Sequence, residues 1–211
     1  MDAHLTNALT NGLHALFLLL YFLAALRARL LGNMRFTKAV LGFFFLTFAL
    51  KILGVLVHVN PMAKGIDELW LCIAAGLILL NCLVLQALNF SAAARIGALL
   101  FFALCTFVAV ERKDFTFLAV EILATYLAAA LYCSGLLRIG FVSIAISNVV
   151  WIVTRKGTEA FLGHQIPTEW RYDNDLFHFM LIASTFVIYK GFSTGNGLPR
   201  PDLSCPRRCE S

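Results

Sequence analysis

The sequence predicts an all-α fold, a polytopic membrane protein built as a seven-transmembrane-helix bundle. Three observations carry that expectation. Of the 211 residues, 60% are hydrophobic and only 14% are charged, and the mean hydropathy of +0.82 is far too high for an ordinary soluble domain. Apolar runs of about 17 to 24 residues recur along the whole chain, the length that crosses a bilayer as a helix. The links between them are mostly short and polar, which matches spanning helices rather than barrel strands.

Seven spans follow, at about 13–31, 37–58, 67–88, 93–110, 115–136, 138–154 and 175–192. The first apolar run, Leu13 to Leu26, has the length of a signal peptide. It lacks a basic segment before it and ends in Arg27-Ala28-Arg29 rather than at a small-residue cleavage site, so it reads as the first helix. The sixth span is the weakest, being interrupted by Ser143, Ser147 and Asn148. The only long link, Arg155 to Asp173, carries Gly157, Gly163 and Pro167 and is expected on the surface as a cap or interfacial loop. Residues 1–195 thus form one transmembrane domain and 196–211 a short polar tail.

The net charge of +5 suggests no nucleic-acid partner, because in a membrane protein the position of Lys and Arg relative to the spans matters more than their total. Arg27, Arg29, Arg35 and Lys38 cluster after the first span, and Arg200, Arg207 and Arg208 lie in the tail. Both groups favour an N-terminus outside and a C-terminus in the cytoplasm, in a bacterial inner (plasma) membrane. Cys72, Cys82, Cys105 and Cys133 fall within apolar runs and read as small hydrophobes. Cys205 and Cys209 lack the further Cys or His partners of a zinc knuckle.

Charges inside the spans are costly and mark either function or a clasp between helices. Lys51 in the second span and Glu121 in the fifth are such residues, with Asn81, Gln86 and Asn148 as candidate partners. The densest polar group opens the seventh span, where Asn174, Asp175 and His178 follow Arg171-Tyr172-Asp173. In a serpentine bundle, the end of an even-numbered helix and the start of the next odd-numbered one share a membrane side. His58, Asp67, Glu68, Asn174, Asp175 and His178 therefore converge on one face, with His14 near the start of the first helix. Asn174 and His178 are four apart and point the same way.

Two imidazoles and a carboxylate on neighbouring helices have the donor types of a zinc site with an open fourth position. Zinc there lowers the pKa of a bound water and polarises a carbonyl, as amide or ester hydrolysis requires. The competing reading is structural, since Asp or Asn at a helix start is also an ordinary N-cap.

This arrangement resembles the superfamily of alkaline ceramidases and adiponectin-type receptors, whose members carry a His near the end of helix 2, an Asp near the start of helix 3 and a His-x-x-x-His pair in helix 7. His58 matches the first, Asp67 in Ile66-Asp67-Glu68-Leu69 resembles the second, and His178 matches the second His of the pair. Asn174 stands at the first His position, and Gly54 replaces a Ser usually found one turn before the helix 2 His. The segment Asn174 to His178 with Tyr189-Lys190-Gly191 also resembles bacterial relatives. The resemblance implies a zinc-dependent hydrolase of lipid amides or esters. His58, His178 and Asp175 would ligate the metal, Asp67 or Asp175 would serve as third ligand or base, and Asn174 would donate to the substrate oxygen. The departures leave a second reading open, in which the metal has been lost and the pocket retained by a lipid-binding or sensory protein. A transporter ranks last, because no span is broken by Gly or Pro.

Overall fold

A computed structural model describes residues 3–60, 64–112, 116–163 and 173–198. These residues form α1 (Ala3–Leu30), α2 (Lys38–Val59), α3 (Ile66–Ala87), α4 (Ala92–Arg112), α5 (Thr116–Tyr132), α6 (Gly135–Leu162) and α7 (Asp173–Thr194). Six of the seven helices are long and apolar enough to cross a membrane. The exception is α5, whose 17 residues reach about 25 Å at 1.5 Å per residue.

Two boundaries differ most from the sequence expectation. Helix α1 begins at Ala3 rather than near residue 13, and two of the polar side chains of its first turns bond back onto the helix. Thr6 donates to the Ala3 carbonyl, and Asn11 donates to the Asn7 carbonyl. The same device rescues α6, the segment that reads weakest. Ser143, Ser147 and Asn148 donate to Ile139, Ser143 and Ile144 carbonyls, so their polar groups do not interrupt the helix. Helix α6 then runs to Leu162, where Gly163 takes φ 70° and ends it in the left-handed conformation that glycine adopts without strain. Much of the expected surface link from Arg155 is therefore helix, and its residues 164–172 lie outside the described residues, as do Cys205 and Cys209.

Helix packing gives a ring with one helix outside it. Helix α1 packs on α2 and α7, α2 on α3, α3 on α5, α5 on α6 and α6 on α7, while α4 touches only α3 and α5. At the junction of α6 and α7 a Cβ on Gly140 would meet the backbone nitrogen of Ile188 at 3.1 Å, so the absence of a side chain sets how closely these helices approach. One end of the ring is packed solid with aromatic rings. Tyr21 stacks on Tyr189 at 5.0 Å between centroids, and Phe36 and Phe44 each lie 6.0 Å from Tyr189. Facing outward, Leu16, Leu20 and Leu23 of α1 and Leu100, Leu104 and Phe107 of α4 are exposed, the pattern of a surface solvated by lipid.

Candidate binding cavity

The other end of the ring is hollow. A cavity of about 530 Å³ opens between α1, α2, α3, α5, α6 and α7, and α4 contributes nothing to its lining. Its polar wall is built largely on α1 and α7. His4, Asn7, Asn11 and His14 recur at three- and four-residue spacing, which places them on one face of α1. Asn174, His178 and Thr185 face them from α7, and Lys51 and His58 complete the wall from α2. The lining from α3, α5 and α6 is mainly apolar, with Ile73, Leu77, Leu80, Leu118, Ile122 and Ile144, although Tyr126, Asn148 and Arg155 also belong to it.

His178 is the hub of the polar wall. The amide nitrogen of Asn11 lies 2.8 Å from its Nε2, and the ammonium nitrogen of Lys51 lies 3.1 Å from its Nδ1. Three further contacts tie down the neighbouring elements. Thr10 donates to Asp175 Oδ1 at 2.8 Å, His14 Nε2 lies 3.2 Å from Thr185 Oγ1, and Trp151 Nε1 donates to Asn174 Oδ1 at 2.7 Å. His58 packs against His4 with 6.4 Å between ring centroids. Over the mouth, Arg155 lies 5.3 Å from the Trp151 ring and pairs with Glu159 at 3.3 Å.

The sequence-derived candidates thus divide. His58, Asn174 and His178 line one cavity. Asp175 is half-buried beside it and spends an oxygen on Thr10. Asp67 is exposed in the first turn of α3, outside the lining. It is not the N-cap either, since Gly65 holds that position, so its local contribution is to the helix dipole. Glu121 is fully buried but faces away from the cavity, where Asn81 of α3 and Thr106 of α4 donate to it at 3.4 Å each. It clasps α3, α4 and α5 together, and Asn81 was among its expected partners.

In this arrangement the expected zinc donors have other partners. Both ring nitrogens of His178 are engaged, and the group on Nδ1 is an amine, where a dication would have to displace it. Asn174 accepts from Trp151 and Asp175 from Thr10, so both oxygen donors are already engaged. Among the described residues, no group of three or more His, Cys, Asp or Glu side chains is arranged to hold a metal. Zinc asks for three or four such donors at about 2 Å in tetrahedral directions.

Sequence reasoning passed over Asn7, Thr10, Asn11 and Trp151. The signal was present in the spacing 4, 7, 11 and 14, a polar stripe with helical period, but it lies ahead of the first window of high hydropathy. No protein-family model matches the chain, and neither a curated protein nor a solved structure is significantly similar to it.

Proposed function

We propose that the protein is an integral membrane protein in which all seven helices span the bilayer, N-terminus outside, and that it binds a membrane-derived amphiphile without carrying out metal-dependent hydrolysis. The observation that carries this reading is the cavity itself. It has the volume of a small-molecule site, roughly 300–1,000 Å³, and its walls are segregated into a hydrogen-bonding side and an apolar side. A lipid matches that division, with its head among Asn11, Lys51 and His178 and its chain against α3 and α5. The short α5 is compatible with spanning, because a bilayer thins locally around a short helix at modest cost. The resemblance to lipid amidases supports a lipid as the ligand. The engaged nitrogens of His178 favour binding over hydrolysis.

The test is direct. Protein purified in lipid nanodiscs is extracted, and the released lipids are identified by mass spectrometry beside a metal analysis of the same sample. Enrichment of one amphiphile class over the bulk bilayer, with no stoichiometric zinc, is the expected result. One zinc per chain that disappears in His178→Ala, together with release of an acyl product, would establish the hydrolase instead.

A further inference from the structure

We infer that Lys51 is the recognition point for a single acidic head group, so that the ligand is a single-chain amphiphile with a carboxylic-acid head. The inference rests on the binding reading above and adds the chemistry of the head.

Lys51 is seven residues before His58 on α2, about 10 Å deeper along the helix axis. Its nitrogen lies in the cavity wall, 3.1 Å from His178 Nδ1 and 5.9 Å from the centre of the Phe177 ring. The ring offers part of a counter-charge, but no carboxylate of the described residues pairs with Lys51. Arg155 and Lys156 pair with Glu159, out on α6. A lysine held in a low-dielectric cavity without a counter-ion is expensive, and the cost is removed by a ligand that brings the missing charge. His14, fully buried in the same wall, also leaves Nδ1 without a hydrogen-bond partner. The site therefore has unmet polar capacity in one place and an apolar surface opposite, at Leu77, Leu80 and Ile122.

One cation specifies one negative charge, and about 530 Å³ accommodates one chain rather than two. Either protonation state of Lys51 leads to the same bound pair. An ammonium pairs with a carboxylate that arrives ionised. A free amine takes the proton of the neutral acid, the O–H bond breaking as the N–H bond forms, and the result is again ammonium beside carboxylate. Lys51 thereby supplies the positive charge that a metal would supply in a hydrolase, and it is built into the chain.

The experiment uses the full-length protein in nanodiscs with Trp170→Phe, so that only Trp70 and Trp151, both in the cavity wall, emit. A bromine-labelled long-chain carboxylic acid is the probe, since bromine quenches a tryptophan that it approaches. Unlabelled acid and the alcohol of equal chain length are the competitors. The acid is expected to displace the probe at roughly 10- to 100-fold lower concentration than the alcohol, the range for a hydrogen bond to a charged group. In Lys51→Met the two competitors should become equal. Equal competition in the parent protein, or an acid preference that survives Lys51→Met, overturns the inference and leaves the cavity reading standing. Absence of saturable quenching by labelled acid and labelled alcohol alike removes both. The parent protein alone yields the acid-to-alcohol ratio, so a variant that misfolds does not shelter the idea.

Discussion

Replacing Gly54 by alanine tests whether the polar wall is a positioned network or a loose collection of side chains. An alanine Cβ at this position would stand 3.0 Å from Asn11 Oδ1 and 3.3 Å from Asn11 Cγ. Ordinary contact begins at 3.4 Å, so the Asn11 amide must retreat by about 0.4 Å. It has little freedom to do so, because its nitrogen is held at 2.9 Å from the Asn7 carbonyl and at 2.8 Å from His178 Nε2. Partial loss of two buried hydrogen bonds, each worth about 0.5–1.5 kcal/mol net, gives an expected cost of about 1–2 kcal/mol. At about 2–4 °C per kcal/mol for a chain of this size, the midpoint of thermal unfolding should fall by about 2–8 °C. The assay is heating in mild detergent with a thiol-reactive dye that reports exposure of buried Cys105 and Cys133. Gly97→Ala is the control, since a Cβ there meets nothing within 4 Å and alanine is the better helix former. If Gly54→Ala melts with Gly97→Ala, the Asn11–His178 contact is not positioned by Gly54 and the network argument fails.

Three further outcomes are expected. Asn174→His alone should leave zinc near background because Lys51 still occupies His178, whereas Asn174→His with Lys51→Met should raise it, and equal zinc in all three proteins by metal analysis would remove Lys51 as the obstacle. Glu121→Ala should lower the unfolding midpoint, since it leaves Asn81 and Thr106 without their acceptor at about 1–3 kcal/mol for a stranded buried group. Its affinity for the brominated acid should stay within about threefold, because Glu121 lies outside the cavity, and a tenfold loss would place it in the binding wall after all. A reporter fused after Ser211 should be active in the cytoplasm, given the basic cluster after α1 and in the tail; activity confined to the outer side would invert the orientation.

The helical architecture was legible because hydropathy is a property of residues summed over a span, and no distant contact alters the sum. The convergence of His58 and His178 on one cavity was legible for a related reason, since serpentine topology alone brings them to one end of the bundle. Two details were not legible. The start of α1 was missed because Asn7, Thr10 and Asn11 lower the local hydropathy, and only the opposite wall explains why a membrane helix tolerates them. The partner of Lys51 was missed because the candidates weighed were amides, and the ring placed there comes from α7, 127 positions along the chain. Pairings at that separation follow from packing, to which periodicity is blind.

The seam between α1 and α7 has a consequence for the order in which the molecule is assembled. Its polar contacts, Thr10 with Asp175, Asn11 with His178 and His14 with Thr185, join two helices far apart in the chain. Synthesis proceeds from the N-terminus at about 5–20 residues per second, so these three contacts form only after α7 has been made. Closure of the ring thus requires α7, and a chain stopped before it leaves Thr10, Asn11 and His14 without their partners on that helix.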